Sequence, residues 1–367
     1  MLEPLLQLPV LFALFSIATA SYKDIEVELN SSQIIQRYGY PVEVHEVPTD
    51  DGWILNLVRI PYGKKETTKK ARSPKSCRPA ILFLHGLVSD ATQFVLNPPE
   101  TGTGFVFADG GFDVFLPSHR GSAESQKHRV YNRDMPSFWN FSLDEYATKD
   151  MPAFVDAALS ISKRQSIYVV GLSQGITVLL SFLATFPEYN SKINAVFGWG
   201  TVSPAYNNTG LKDVLPVMDR LLKVTTSSGD ALKQLKPLKK GEVSMSPVGL
   251  PKDKALALAG MAELVCHPPR NDKTRIPVYA AHIWSETSSK NLQYWLQAVN
   301  TPGGNRHYNY GPAGNMVMYG QREPPPYDLS KVDVPVYLMW GDHDILGNIR
   351  EQDDVMKRLS KAPVKVG

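Results

Sequence analysis

Residues 166–185, SIYVVGLSQGITVLLSFLAT, determine the fold class of this chain. The first part, residues 166–170, is a short continuous apolar run, as expected for a strand that is covered on both faces. Residues 176–185 form a longer apolar stretch that predicts a buried helix. A serine between two glycines, Gly171-Leu172-Ser173-Gln174-Gly175, joins the two elements. The sequence therefore predicts a strand, a sharp turn and a helix, with Ser173 at the turn.

The G-x-S-x-G spacing of this turn has a mechanical reason. The turn holds the serine in a strained conformation that exposes its Oγ atom. Gly171 and Gly175, two residues before and two after, must lack side chains so that the strand and helix can pack together. The pattern alone is moderately specific, but the flanking strand and helix make Ser173 the predicted nucleophile.

Strands and helices alternate on either side of this segment. The turn at residues 49–52 precedes the strand Trp53–Ile60, which leaves a hairpin. Further strands are predicted at Ala80–Leu84, 112–116, 195–202 and 336–340, and a helix is predicted at 143–162 with Ser142 as its cap. Such alternation predicts an α/β fold with a mostly parallel sheet.

Between the last two strands lie about a hundred residues of irregular, Pro- and Gly-broken amphipathic sequence. This predicts an inserted helical cap at 203–309. The core is then split into 21–202 and 310–367, and the alternatives to a cap are a separate domain or simply more core.

An exposed nucleophile of this kind needs backbone N–H groups that bind an oxyanion. The N–H of Gln174, directly after the serine, supplies the first. The second is expected from the loop after Ala80–Leu84, and we assign it to Leu87. His85 precedes these groups and is interpreted as a structural hydrogen-bonding residue.

The remaining catalytic residues are an acid and then a histidine, in that chain order. Asp342 and Asp344 both follow the strand at 336–340, and the residues alone leave either possible. The only histidine after Asp342 is His343, and it is adjacent to Asp344, so its side chain diverges from that acid and could hardly bridge it to Ser173. A catalytic role for any of the earlier histidines would need an unusual chain order. The last 23 residues hold one predicted helix, 351–359, and the beginning of a strand, Val364–Val366. We therefore expect the catalytic histidine, a final strand and a final helix to lie beyond this sequence.

Composition restricts the partners. A net charge of +3 with 20% charged residues is too balanced to favour a nucleic-acid partner. No metal, cofactor or obligate protein partner is predicted.

Residues 1–20 predict a signal peptide, because an apolar core precedes Ala18-Thr19-Ala20. No transmembrane span is predicted elsewhere, so we expect an exported protein. Cys77 and Cys266 can form at most one disulfide, and their pairing stays open. Glycosylation sequons are found at Asn30, Asn140 and Asn207.

Several segments together resemble the animal acid lipases, the gastric and lysosomal lipases, over nearly all of the mature chain. They are Tyr38-Gly39-Tyr40-Pro41, Asp51-Gly52-Trp53-Ile54-Leu55, Arg59-Ile60-Pro61, His85-Gly86-Leu87, Gly111-Phe112-Asp113-Val114, Ser118-His119-Arg120-Gly121, Phe138-Trp139-Asn140-Phe141-Ser142 with Asp144-Glu145, Gly171-Leu172-Ser173-Gln174-Gly175, Tyr294-Trp295-Leu296-Gln297, Pro325-Pro326-Tyr327-Asp328-Leu329 and Gly341-Asp342-His343-Asp344.

The resemblance implies an α/β-hydrolase fold and the hydrolysis of triacylglycerols or cholesteryl esters at a lipid–water interface, after secretion or delivery to lysosomes. It implies Ser173 as nucleophile, Leu87 and Gln174 as oxyanion donors, and Asp344 as the acid. The chain departs from the family in having Leu172 and Tyr294 where histidines are usual. It also lacks the usual Pro-Ala-Gly turn after His282.

Two alternatives remain open. A catalytically silent lipid-binding protein would keep the pocket and cap without a complete triad. An esterase for short-chain substrates would use the same residues.

Overall fold

A computed structural model describes residues 24–66, 78–201, 273–282, 285–301, 305–341, 344 and 349–366. The predicted signal peptide, Cys77, Cys266, Asn207, Asp342, His343 and most of the predicted cap lie outside these residues.

The described residues form one nine-stranded sheet with helices packed against it. The strands are β1 (Glu43–Pro48), β2 (Trp53–Ile60), β3 (Ala80–Leu84), β4 (Asp113–Ser118), β5 (Lys127–His128), β6 (Ile167–Leu172), β7 (Ile193–Trp199), β8 (Val336–Met339) and β9 (Val364–Val366). The α-helices are α1 (Ser31–Arg37), α2 (Thr103–Asp109), α3 (Leu143–Glu145), α4 (Met151–Ser162), α5 (Gln174–Thr185), α6 (Ile276–His282), α7 (Ser289–Asn300), α8 (Gly311–Tyr319) and α9 (Ile349–Arg358). Short 3₁₀ turns lie at Ile25–Val27, Ala91–Phe94, Pro136–Trp139, Pro187–Lys192, Lys273–Arg275 and Leu329–Lys331.

The strand order is β1-β2-β4-β3-β6-β7-β8-β9, and β5 pairs with β2. Strands β1 and β2 form the predicted hairpin and run antiparallel to their neighbours. From β4 to β9 every pair is parallel. The predicted α/β class with a mostly parallel sheet is confirmed.

Alternation along the central strands places the core on both faces of the sheet. In β3 the side chains of Leu82 and Leu84 enter one apolar cluster, while Ile81 and Phe83 enter the other. The first cluster also contains residues of α4 and α5, and the second contains residues of α1 and α2. All five residues of β3 are buried, because a central strand is covered on both sides.

The helix predicted at 143–162 is continuous but not uniform. It begins at Ser142, whose side chain and that of Glu145 form a capping box. A π-helical segment, Tyr146–Asp150, then separates α3 from α4. Asp150, at the end of that segment, is fully buried and binds the backbone N–H of Arg120. The π turn thus lies where the helix must direct a carboxylate into the core.

Strands β7 and β8 are neighbours in the sheet although the predicted insertion separates them in sequence. The residues between them return to the core through α7 and α8. Asn305, between these helices, donates to Ser181 of α5 at 2.6 Å. No helix within the described ranges is long and apolar enough to cross a membrane.

Candidate active site

Ser173 lies at the carboxyl end of β6, directly before α5, with φ of 53° and ψ of −117°. This backbone conformation is rare for a residue with a Cβ atom and is costly unless its surroundings hold it. One restraint is the Ser173 N–H, which donates to the Trp199 carbonyl of the neighbouring strand at 2.9 Å. The serine is partly exposed. The strained turn predicted from the glycine spacing is present.

The two glycines of the turn are required by close packing. A Cβ atom on Gly171 would lie 2.4 Å from the Ile176 nitrogen, and one on Gly175 would lie 2.5 Å from the Leu84 carbonyl oxygen. Both contacts are with backbone, which cannot move aside as a flexible side chain could. The turn therefore fits only between residues without side chains.

The loop after β3 passes directly beside the serine. A Cβ atom on Gly86 would lie 3.5 Å from the Ser173 Cβ. The neighbouring Leu87 and Val88 are partly exposed, and Val88 has a positive φ of 51°. The loop that carries the predicted Leu87 N–H donor therefore lies against the candidate nucleophile.

The buried His85 side chain holds this loop. Its Nε2 accepts the His119 backbone N–H at 3.0 Å, so the ring proton lies on Nδ1. Nδ1 in turn donates to the Gly86 carbonyl at 2.9 Å. Because a trans peptide directs its C=O and N–H in opposite directions, this bond orients the Leu87 N–H away from His85. Burial, with the neighbouring His119, lowers the pKa of His85 to about 3, so its ring is neutral.

A buried ionic network contacts His85 through His119. Asp150 accepts from the Arg120 backbone N–H at 3.0 Å and from Arg120 Nε at 2.7 Å. The Arg120 guanidinium also binds Asp51, at 2.6 Å. Burial disfavours the guanidinium charge, but the two carboxylates more than compensate and raise the pKa of Arg120. His119, whose N–H contacts His85, also lies 3.3 Å from Asp150 through its Nδ1.

A second support comes from the chain before α7. We call the four consecutive buried residues Ser285, Glu286, Thr287 and Ser288 the SETS segment. The Ser285 N–H donates to the Val88 carbonyl at 2.9 Å, and its hydroxyl donates to Asp90 at 2.9 Å. Ser288 caps α7 by accepting the Asn291 N–H. The SETS segment therefore joins the loop beside Ser173 to the start of α7.

Helix α7 contacts the other predicted oxyanion donor. The buried side-chain oxygen of Gln174 accepts from Asn291 Nδ2 at 3.0 Å and from Trp295 Nε1 at 2.7 Å. Asn291 and Trp295 are four residues apart and so lie on one face of the helix. Neither residue has a role predicted from the sequence. The sequence signals are their i, i+4 spacing after a serine and the presence of Trp295 in one of the segments that carry the family resemblance.

Asp344 follows β8 at the same edge of the sheet. A Cβ atom on Gly200 would lie 3.5 Å from Asp344 Oδ2 and 4.0 Å from Leu172 Cδ1. Gly200 directly follows Trp199, whose carbonyl binds the Ser173 N–H. Asp344 thus lies at the same edge of the sheet as Ser173, after β8, which is separated from β6 by β7.

The histidines of the described residues are engaged elsewhere. His282 Nε2 contacts the Glu26 carbonyl at 2.8 Å, and His307 lies 3.5 Å from Asp144. His85 and His119 are buried and hold the loop described above. His267 lies outside the described residues. Across the described part of the chain, no group of three or more His, Cys, Asp or Glu side chains could hold a metal ion.

The two described glycosylation sequons are at the surface. Asn30 and Asn140 are both exposed. Asn30 caps α1 through its side-chain oxygen, which accepts the Gln33 N–H at 2.9 Å. The cap uses the oxygen, whereas a glycan would be attached to the amide nitrogen.

A partly exposed serine in a strained turn, a glycine loop packed against it and a carboxylate at the same sheet edge are the arrangement expected for nucleophilic attack on a carbonyl group. Comparison with known proteins agrees. A family profile described as "alpha/beta hydrolase fold" matches residues 79–366, and one described as "Partial alpha/beta-hydrolase lipase region" matches residues 31–98.

Lipase lipl-1 of Caenorhabditis elegans is 34% identical to this chain, over 91% of the chain and 82% of the relative. Gastric triacylglycerol lipase of Mus musculus is 33% identical, over 93% of this chain and 84% of the relative. An esterase from Exiguobacterium antarcticum shares the fold, with a TM-score of 0.51 and 14% identity over 88% of this chain and 90% of the esterase. The chain therefore belongs to the α/β-hydrolase superfamily and, within it, to the gastric and lysosomal acid lipases, a family of carboxylic ester hydrolases.

Proposed function

We propose that this protein hydrolyses lipid esters, triacylglycerols or cholesteryl esters, with Ser173 as its nucleophile. The observation that carries the proposal is the strained backbone of Ser173 beside the Gly86-Leu87 loop. A φ of 53° at a residue with a Cβ atom persists only where packing holds it, and such strain is concentrated at functional sites.

In the proposed reaction the Ser173 Oγ attacks the acyl carbonyl carbon while a histidine accepts the hydroxyl proton. The backbone N–H groups of Leu87 and Gln174 stabilise the negative charge that develops on the carbonyl oxygen. The same histidine then protonates the departing alcohol oxygen. Water, deprotonated by that histidine, hydrolyses the acyl-serine ester and restores the free serine. Asp344 orients the histidine and stabilises its positive charge.

The domain organisation and route through the cell are part of the proposal. In this proposal residues 203–309 are an insertion between the two core segments 21–202 and 310–367, and most of the insertion lies outside the described residues. Residues 1–20 direct the chain into the secretory pathway, where Asn30, Asn140 and Asn207 acquire glycans. The protein then acts outside the cell or in lysosomes, on substrate at a lipid–water interface.

A fluorophosphonate probe tests the nucleophile on the native protein. We expect covalent labelling of the wild type, mapped to the peptide that contains Ser173, and none of Ser173→Ala. Ser181→Ala is a matched control, since Ser181 is a buried serine of the same helix, and it should label like the wild type. Wild-type protein that stays unlabelled while folded would instead favour a silent lipid-binding role.

The intact mass and C-terminal sequence of the native protein test the source of the base. The proposed mechanism requires a histidine after Asp344 that is free to approach Ser173. A native chain that carries such a histidine after Val366 supports the triad. A native chain without one contradicts it. A panel of esters of increasing acyl length then separates a lipase from a short-chain esterase.

A further inference from the structure

We propose that Asn291 and Trp295 are positioning residues for the reaction, which hold the Gln174 N–H in place through the Gln174 side chain. This inference rests on the proposed function of Ser173. It concerns two residues of α7 that lie 117 and 121 positions after Gln174 in the sequence.

The contact between Gln174 and α7 is buried. Gln174, Asn291 and Trp295 expose 2%, 0% and 3% of their surfaces. A buried side-chain oxygen with two donors at 2.7 and 3.0 Å is held firmly, because losing either hydrogen bond leaves a polar group without water. The Gln174 side chain therefore has one well-defined position.

The position of Gln174 in its helix leaves its backbone N–H available for a ligand. Gln174 is the first residue of α5, directly after the strained Ser173. The first N–H groups of a helix have no partner within the helix and remain free for a ligand. A side chain fixed at this residue also fixes its own backbone, so α7 controls the direction of the N–H beside the nucleophile.

The same stretch of chain also contacts the loop that carries the other proposed donor, Leu87. Asn291 Nδ2 binds Thr287 of the SETS segment at 3.1 Å, and the Ser285 N–H of that segment binds the Val88 carbonyl. Val88 follows Leu87 and has a positive φ, which is unfavourable for a β-branched residue and needs such a restraint. Residues 285–295 thus connect the Leu87 side of the site to the Gln174 side.

The test compares two variants of neighbouring residues in α7. Trp295→Phe keeps an aromatic ring but removes the N–H that binds Gln174. Tyr294→Phe removes the hydroxyl that donates to Asn305, from an equally buried residue of the same helix. Both variants lose one buried hydrogen bond, and Trp295→Phe also removes part of a buried ring, so we expect Trp295→Phe to lose more thermal stability than Tyr294→Phe.

With a soluble ester substrate and the native protein, we expect Trp295→Phe to lower kcat about tenfold with KM within twofold of wild type, since oxyanion donors act mainly in the transition state. Tyr294→Phe should leave both constants within twofold. Gln174→Met removes the shared acceptor, so Trp295→Phe should cause little further loss of kcat in that background.

Equal kcat values for Trp295→Phe and Tyr294→Phe would overturn the positioning role, as would full additivity with Gln174→Met. Failure of the proposed function is distinct, because the wild type would then neither hydrolyse the ester nor react with the fluorophosphonate probe.

Discussion

Arg120 donates from Nε to the fully buried Asp150 at 2.7 Å, beneath the loop that lies beside Ser173. The guanidinium carbon lies 5.3 Å from the centroid of the Trp53 ring. A buried charge of this kind must keep its partner, because the remaining ion would otherwise lie unpaired in the core.

Asp150→Ala should therefore lower the free energy of unfolding by ~3–5 kcal/mol. Chemical denaturation of the wild type and the variant measures the change. A control is Lys127→Met, which breaks an exposed ion pair with Glu46 and should cost less than ~1 kcal/mol. Equal losses of unfolding free energy in the two variants would show that the buried Arg120–Asp150 pair stabilises the fold no more than an exposed ion pair does.

Glu124 predicts a pH dependence of stability. Burial, reinforced by the charge of Asp90, raises the pKa of the Glu124 carboxyl to about 7. The folded state then binds the proton more tightly than the unfolded chain, where the ordinary value applies. The stabilisation of the folded state by protonated Glu124 is complete below about pH 4.5 and is lost as the pH rises through about 7.

Thermal unfolding from pH 4.5 to 8 tests this expectation. The melting temperature of the wild type should fall over that range by more than that of Glu124→Gln, which cannot ionise there. The difference corresponds to at most ~3 kcal/mol. Parallel curves for the two proteins would mean that Glu124 does not titrate in this interval.

Gly175→Ala tests the packing of the turn. A Cβ atom there meets the Leu84 carbonyl oxygen at 2.5 Å, so α5 or β3 must shift. We expect a loss of more than ~2 kcal/mol in unfolding free energy, because core overpacking typically costs ~1–3 kcal/mol and the obstacle here is backbone. Gly341→Ala is the matched control, since its Cβ would meet nothing within 4 Å. An unchanged stability of Gly175→Ala would contradict the close approach.

Asn30→Asp separates the two roles assigned to Asn30. An aspartate keeps the oxygen that caps α1 but cannot carry a glycan. We expect the mass of the secreted protein to fall by one glycan, while the melting temperature of the enzymatically deglycosylated protein stays near that of the deglycosylated wild type. Asn30→Ala should in addition lose about 1 kcal/mol from the missing cap. A mass that does not change would remove Asn30 from the glycosylation sites.

Local sequence patterns predicted the positions of the strands well. The predicted strand at 166–170 begins within one residue of β6 and ends two residues before it, and Val364–Val366 forms the strand that its pattern indicated. Buried central strands are continuous apolar runs, and such runs are visible in the sequence itself. The placement of Ser173 followed from the same local pattern.

Contacts between distant segments could not be predicted in this way. The π segment ends at Asp150, whose carboxylate binds Arg120, thirty positions earlier in the sequence. The contacts of Gln174 with Asn291 and Trp295 depend on where α7 packs, which no local pattern in either segment encodes. Local patterns therefore predict candidate reactive groups but not the residues that hold them.

The bond between Ser285 and Asp90 spans 195 residues of the chain. During synthesis the loop that carries Leu87 emerges long before the segment that restrains it. Contacts of such separation form late in folding, because closing a long loop costs entropy before the contact rewards it. Ester hydrolysis should therefore begin only after residues 285–295 have been made and have docked against the loop that carries Leu87.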